Sequence, residues 1–323
     1  MTLGNLFKKK TKEKTQKPEK KKGDNWRYFK RHKYIYFLLL PGMLATLVFS
    51  YLPILGISIA FKQFNVLDGI MGSPWVGFDN FIEVFTMPSM WLAIKNTFIY
   101  GVCILFGNTP IVILFALLIN EVRNATYKKV VQTISYLPHF LSWASVGAIF
   151  YGFFSLTGAF NDIMSSLLEN WEPTNILMDS KYFIHIIYGT NLWKGLGWAA
   201  VIYLAAIAGV DQSLYEAAAI DGCGKFRQAT RITIPLIAPT IVIQFIMSIG
   251  TLINSNFEQV YAFQNIYTQD ATETVNTLSF RMGIGQGNYS EAAAYGIAHG
   301  VIALLLTMST NCLSKKITGM SVW

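Results

Sequence analysis

Six long runs of apolar residues alternate with polar segments along the chain. The runs lie at about 34–61, 96–119, 130–154, 185–210, 236–253 and 292–313. Each run approaches or exceeds the about 20 residues that a helix needs to cross a hydrocarbon core of about 30 Å. Backbone groups in lipid must be satisfied within the protein, and runs this long and uniformly apolar do not suit barrel strands. The pattern therefore predicts six membrane-spanning helices.

Composition agrees with this interpretation. Of the 323 residues, 53% are hydrophobic and 14% are charged, whereas a soluble domain carries about 25% charged residues. The first run exceeds the about 7–15 apolar residues of a signal peptide and has no small-residue cleavage site after it. We therefore expect an all-α integral membrane protein that keeps its first helix as an anchor.

Basic residues collect on one side of the predicted helices. Residues 1–33 and the segments near 120–129, 211–235 and 314–323 hold 21 basic and 7 acidic residues, and the other segments hold 5 basic and 11 acidic. Because Lys and Arg mark cytoplasmic segments, both termini are expected in the cytoplasm.

The first 33 residues differ in character from the rest of the chain. They contain KKKTKEKTQKPEKKK (8–22), which is too hydrophilic to form a core and is expected to be disordered. The predicted organisation is therefore a basic tail, 1–33, followed by one membrane domain, 34–323. A basic tail beside a membrane helix orients that helix or contacts anionic lipid, so the net charge of +8 does not indicate nucleic-acid binding.

No residue pattern indicates catalysis or a metal site. Cys103, Cys223 and Cys312 are widely spaced without a CxxC pair, so neither a disulfide framework nor a zinc site is predicted. The sequence also lacks HExxH, GxSxG and the ATP-binding loop GxxxxGK[ST]. We therefore expect a chain without a catalytic residue or a cofactor of its own.

The segment 211–235 is unusually long for a connection between two membrane helices. Such connections commonly take about 2–8 residues. Ser213-Leu-Tyr-Glu216 fits a capping box and predicts that a helix begins at Ser213. Asp221-Gly222 predicts a turn, followed by a second short helix and by Pro235 in the first turn of the next membrane helix. Capping alone would account for Glu216, but the surplus length indicates a docking surface.

These residues resemble a signature of the membrane subunits of bacterial ABC importers that depend on a solute-binding protein. The signature reads E-A-A-x-x-D-G-x9-I-x-L-P, and its matches here are Glu216, Ala217, Ala218, Asp221, Gly222, Ile232, Ile234 and Pro235. Cys223 replaces the usual Ala and Ile234 the usual Leu, and both changes are small in volume. The resemblance covers residues 30–323, and residues 190–222 are similar to the oligosaccharide branch with its maltose-type and alginate-type permeases.

The resemblance implies a type I ABC importer permease fold with six transmembrane helices and a coupling helix between helices 4 and 5. In that family the coupling segment docks on an ATPase subunit. The residues implied in coupling are Tyr215, Glu216, Ala217, Ala218, Asp221, Gly222, Cys223 and Phe226. The family also implies a second permease subunit, usually a different chain, two ATPase subunits that hold ATP and Mg, and an extracytoplasmic solute-binding protein.

Polar residues near the outward half of the helices are candidates for the substrate path. They are Trp193, Lys194, Gln244, Asn254, Asn256, Glu258 and Gln259. Snorkelling to the outer interface is an alternative for Lys194, and a bond to a neighbouring helix is an alternative for Gln244. The outward loop 254–291 is rich in Asn, Gln and Tyr, which suits either a polyhydroxylated ligand or an ordinary solvated loop.

The predicted function is the pore-forming subunit of an ABC importer that moves oligosaccharides, including acidic polysaccharide fragments, across the bacterial cytoplasmic membrane. The alternative is an ion-coupled secondary sugar carrier. Such a carrier usually places an acidic residue in mid-membrane, and the central parts of the six runs contain no Asp or Glu. Lys194 and Arg281 permit an anionic sugar without requiring one.

Overall fold

The structure is a computed structural model that describes residues 29–252 and 257–318. The predicted tail lies mostly outside the described residues, and residues 29–31 are helical. The chain divides into two compact units between Gly56 and Ile57. The first long helix, α1 (Lys33–Phe61), begins in the first unit and changes along its length from an α-helix to a π turn and then to a 3-10 segment.

Helices are the regular elements of the second unit, with one isolated bridge between Lys62 and Trp75 among the described residues. Apart from the single turns Gly69–Gly72 and Gln269–Thr272, the α-helices in chain order are α2 (Asp79–Thr86), α3 (Pro88–Glu121), α4 (Ala125–Tyr136), α5 (Trp143–Phe154), α6 (Ala159–Leu167), α7 (Ser180–Ala208), α8 (Gln212–Ile220), α9 (225–252), α10 (Phe257–Phe263), α11 (Val275–Phe280) and α12 (Tyr289–Thr318).

The prediction of six membrane-spanning helices is confirmed for the described residues. Six stretches are long and apolar enough to cross a membrane: Lys33–Phe61, Pro88–Glu121, Trp143–Leu167, Ser180–Ala208, Lys225–Ile249 and Tyr289–Lys316. Most of them extend beyond the predicted runs because the helices continue into the polar ends, where water and side chains satisfy the backbone.

Two predicted boundaries were wrong. The third run, 130–154, was expected to be one helix, but α4 ends at Tyr136 and a 3-10 turn with Pro138 follows. A new helix, α5, then begins after Ser142, whose hydroxyl accepts from the amide of Ser145 at 3.1 Å. A proline without an amide donor and a side chain that caps the next helix together interrupt the run.

The fifth helix also differs from its prediction. Lys225–Gln228, the π turn Ala229–Thr233 and Ile234–Leu252 follow one another without a break and form α9. The expected separate short helix is therefore the first turn of the membrane helix itself. Pro235 lies in the first turn of the α-helical segment Ile234–Leu252, as predicted, although this segment continues from the π turn instead of starting a separate helix.

Helices α3 and α7 pack along each other and form the centre of the second unit. Three buried clusters surround this pair. One joins α3 and α7 to α9, a second joins them to α5 and α10, and a third joins α3 to α2, α11 and α12. The polar segments at the two ends of the helices are thus held by three separate cores.

Hydrogen bonds and an ion pair identify which segments share an end of the bundle. Lys225 Nζ lies 3.2 Å from Glu121 Oε2, so α3 ends where α9 begins, beside α8. We call this the α8 end. At the opposite end, which we call the loop end, Asn96 Nδ2 donates to the carbonyls of Ala271 and Glu273, both at 2.9 Å.

Candidate functional site

The helix α8 begins earlier than the capping box predicted. Asp211 is its N-cap, and its Oδ1 accepts from the amide of Ser213 at 2.9 Å. The prediction that Ser213 starts the helix was therefore wrong, because the carboxylate two residues earlier reaches the free amides first. The amide and then the hydroxyl of Ser213 lower the pKa of the Asp211 carboxyl.

The turn predicted at Asp221-Gly222 is confirmed. Gly222 has a φ of 73°, in the left-handed region where a glycine has no steric penalty. The amide of Gly222 donates to the carbonyl of Ala219 at 3.1 Å, and the amide of Cys223 to that of Ala218 at 2.8 Å. This pair of bonds is a Schellman motif, which satisfies the last carbonyls of α8 and reverses the chain.

Two side-chain contacts hold the segment 211–235 together, and a third joins it to α3. The hydroxyls of Tyr215 and Thr233 lie 2.8 Å apart and join α8 to α9. Buried Gln228 donates to the carbonyl of Cys223 at 3.0 Å and supports the turn. The third contact is the ion pair from the start of α9 to the end of α3. The helix α8 is therefore joined directly to α9.

The outer surface of this segment is small and apolar. Glu216 and Ala217 are exposed and Ala218 is half-buried, so the backbone of α8 is accessible. Ile220 is 87% exposed and Phe226 is 84% exposed, on either side of the glycine turn. Two large apolar side chains that project beside a short, well-capped helix are typical of a protein-docking surface.

The structure places the candidate Lys194 at the interruption between α4 and α5. Its Nζ donates to the carbonyl of His139 at 2.8 Å and lies 5.1 Å from the centroid of the Trp143 ring. Trp193 points elsewhere, with its ring edge-on to Phe150 at 5.6 Å. Lys194 thus satisfies a carbonyl that the broken helix leaves without an intrahelical partner.

Gln259 lies at the centre of a buried chain of amides. Its Nε2 donates to the Ile187 carbonyl at 2.6 Å and to Thr190 Oγ1 at 2.8 Å, and its Oε1 accepts from Asn191 at 3.0 Å. Asn191 in turn accepts from Asn108 at 2.9 Å. The chain ties α3, α7 and α10 together. Asn108 and Asn191 are not among the candidates predicted from the sequence, although their polar amides inside apolar runs are a signal that identifies them.

Glu258 faces a groove instead of this network. The groove, of about 580 Å³, runs between α5 and α10 and is lined by Trp143, Tyr151, Phe257, Glu258 and Tyr261. Glu258 is exposed there. Gln244 is half-buried in α9. Asn254 and Asn256 lie outside the described residues. The structure therefore does not bring the candidates together in one site: Gln259 belongs to a structural network, Lys194 to a helix junction and Glu258 to an aromatic groove.

Comparison with known proteins places this architecture in a family. Residues 30–318 match the family described as binding-protein-dependent transport system inner membrane component. Protein LplB of Bacillus subtilis (strain 168) is 40% identical over 297 residues, which cover 91% of this chain and 93% of LplB. The polygalacturonan/rhamnogalacturonan transport system permease protein YteP of the same organism is 39% identical over 287 residues, covering 88% of this chain and 89% of YteP.

Solved structures agree with this placement. A crystal structure of a bacterial ABC transporter that imports the acidic polysaccharide alginate matches with a TM-score of 0.82 and 35% identity, covering 91% of this chain and 99% of that one. A second crystal structure, of a bacterial alginate ABC transporter in complex with an alginate pentasaccharide-bound periplasmic protein, matches with a TM-score of 0.82 and 34% identity. The match covers 92% of this chain and 99% of that one. The chain therefore belongs to the family of binding-protein-dependent transport system inner membrane components, and it is a multi-pass transport subunit with the type I importer permease fold, not an enzyme.

Proposed function

We propose that this chain is the pore-forming subunit through which an ABC importer moves oligosaccharides across the bacterial cytoplasmic membrane. Membership of the family supports the transport role, and the named cargoes of its relatives support a carbohydrate cargo. ATP and Mg bind in a partner ATPase, since the sequence has no ATP-binding loop of its own.

In this proposal α8 and the following turn form the coupling segment. The observation that carries it is the exposed surface of Ala217, Ile220 and Phe226 on a segment that is bonded to both α3 and α9. An ATPase groove that receives these side chains would bury apolar area, while Tyr215 and Lys225 transmit the movement to the helices. The other contacting residues are Glu216, Ala218, Asp221, Gly222 and Cys223.

The complete importer would contain a second permease subunit, two ATPase subunits and an extracytoplasmic solute-binding protein. With the basic segments facing the cytoplasm, the α8 end is cytoplasmic and the loop end faces the binding protein. Transport requires that ATP and the loaded binding protein both favour the outward-open state, because a ligand shifts an equilibrium only by its differential affinity for the two states.

For the substrate path, the aromatic groove between α5 and α10 is the best-supported part. Aromatic faces suit the C–H surfaces of a sugar, and exposed Glu258 can accept from hydroxyls. Trp193 and Gln244 are further candidates. We propose a supporting role for Gln259 and Lys194, since the first bonds three helices and the second a helix junction.

Gly222→Val tests the coupling role. Valine at a φ of 73° costs about 1–2 kcal/mol, enough to change the turn and lower coupled ATP hydrolysis about tenfold. The assay measures ATPase activity and sugar uptake by the co-purified importer, with sugar-loaded binding protein. Gly224→Val is the matched control, since Gly224 has a φ of −69° that valine adopts readily, and a Cβ at this position meets no atom within 4 Å.

Three results would each contradict a part of the proposal. Normal uptake by the Gly222→Val importer would exclude the coupling role of the turn. Uptake that continues without ATP and stops when an ionophore collapses the ion gradient would instead support the ion-coupled carrier. Stimulation of the ATPase by amino acids alone would remove the carbohydrate cargo.

A further inference from the structure

We propose that a cavity at the loop end binds one uncharged glycosyl unit of the cargo, in preference to a uronate. The inference rests on the proposed function and specifies its substrate class. The loop-end cavity has about 480 Å³, and the residues that carry the argument are Tyr261, Gln264, Gln269, Glu273, Phe280 and Arg281. This volume falls within the about 300–1,000 Å³ of small-ligand pockets.

One wall of the loop-end cavity is aromatic. The rings of Tyr261 and Phe280 lie 5.3 Å apart at 71°, and Phe257 contacts both, at 5.4 Å and 5.2 Å. Tyr261 remains 54% exposed and Phe280 39% exposed. Exposed ring faces held by their neighbours form a rigid surface for the C–H face of a pyranose, at little cost in side-chain entropy.

The amides of the cavity are available for hydroxyl groups. The side chain of Gln269 makes no hydrogen bond to any described residue, and Gln264 makes only a long one, 3.4 Å, to Thr272. Neighbouring Asn265 differs, because its Nδ2 donates to the carbonyl of Leu177 at 2.7 Å and its Oδ1 accepts from two backbone amides. The whole Gln269 amide and the Oε1 of Gln264 are thus available to a ligand.

The charges in the cavity neutralise each other. Glu273 and Arg281 are the charged residues that line it, and Arg281 Nε donates to Glu273 Oε1 at 2.9 Å while Nη2 donates to Oε2. The Glu273 side chain is 5% exposed, so this carboxylate is desolvated and holds the guanidinium in place.

This pairing decides which sugar fits. A guanidinium has five donors and Glu273 takes two of them, so the others remain for neutral hydroxyls. A uronate would have to approach a cation already neutralised, beside a buried carboxylate that repels it. The site therefore favours an uncharged sugar. Tyr261 also lines the groove between α5 and α10, so the neighbouring units of an oligosaccharide can continue into that groove.

The test uses the assembled importer in lipid nanodiscs without its binding protein. Maltotetraose, arabinotetraose and xylotetraose are the neutral probes, and tetragalacturonate is the acidic probe. Saturation-transfer NMR titrations give the Kd of each. We expect at least one neutral probe to bind about tenfold more tightly than tetragalacturonate, the ratio that loss of one charge-assisted contact produces.

Two variants make the test specific. Glu273→Gln keeps an acceptor for Arg281 but leaves its charge uncompensated, so the preference should shift at least tenfold toward tetragalacturonate. Phe280→Ala removes part of the aromatic wall, and because Phe280 lines this cavity and not the groove between α5 and α10, it should raise the Kd of the neutral probe about tenfold only if the cavity binds the sugar. Tyr267→Ala is the matched control, because Tyr267 is 67% exposed and does not line the cavity.

Three outcomes would overturn the inference. The wild-type importer could bind tetragalacturonate as tightly as every neutral probe, it could bind none of the probes, or Phe280→Ala could leave the Kd of the neutral probe unchanged. Co-purification with the ATPase subunits and stimulated ATP hydrolysis are measured on the same samples. If these persist, the importer role stands and only the cavity assignment fails.

Discussion

Gly197 marks the closest approach of α4 and α7, and its replacement by alanine is a sharp test of the packing. A Cβ on Gly197 would overlap the carbonyl oxygen and the carbonyl carbon of Ser135. Both are backbone atoms, so no rotamer change relieves the contact. Because heavy atoms pack at about 3.5 Å, α4 would have to retreat by about 1 Å.

The cost follows from this displacement. Overpacking a tight site costs about 1–3 kcal/mol, and a rigid backbone contact belongs in the upper part of that range. Alanine regains about 1 kcal/mol of helix propensity over glycine, which leaves a net loss of about 2 kcal/mol. At about 2–4 °C per kcal/mol, we expect the Tm of the purified chain in detergent to fall by about 4–8 °C. Thermal unfolding followed by circular dichroism measures it.

Gly195 provides the matched control on the same helix. A Cβ there has nothing within 4 Å, so Gly195→Ala should keep or slightly raise the Tm. A Gly197→Ala variant as stable as Gly195→Ala would refute the close α4–α7 contact.

Two further predictions concern single side chains. Gln259→Leu removes three hydrogen bonds and leaves half-buried Asn191 short of a partner, so it should lower the free energy of unfolding by about 1–3 kcal/mol; chemical denaturation in detergent measures this, and an unchanged midpoint would contradict it. Because Ser213 lowers the folded-state pKa of Asp211, the stabilisation from its carboxylate is present above the unfolded pKa of about 3.9 and is lost as the pH falls through the folded pKa. Asp211→Ala should therefore reduce stability at pH 6, and its effect should become smaller as the pH falls below the unfolded pKa of about 3.9. An effect that does not shrink as the solution is acidified would exclude the cap.

The membrane-spanning helices could be predicted from the sequence because the bilayer imposes a length that a local apolar run must meet. The turn at Gly222 could also be predicted, because it depends on one residue: few residues other than glycine adopt its positive φ. The start of α8 was not predictable with the same certainty. Asp211 and Ser213 are both good caps, and which one reaches the first free amides depends on the direction in which the chain leaves α7.

The interior contacts could not be predicted, because they depend on how the helices are positioned and rotated against one another. The apolar pattern of the sequence does not specify this. Gln259 was a candidate for the substrate path from its polarity, but α10 turns it into the core against α7. From its position in the sequence, Lys194 is predicted to be a charge near the outer membrane face. In the structure it instead binds the carbonyl of His139, which the helix break after Pro138 leaves accessible. The pairing of Glu273 with Arg281, eight residues apart in sequence, likewise requires the fold of the loop end.

Photo-crosslinking from α8 tests the central claim most directly. A genetically encoded diazirine residue replaces Ala217, which is exposed on α8, and the same residue replaces Leu67, which is 92% exposed outside the proposed docking surface, as the control. Irradiation of the assembled importer should link position 217, but not position 67, to the ATP-hydrolysing subunit. If position 217 gives no link to that subunit, or both positions link equally, α8 does not dock on the ATPase.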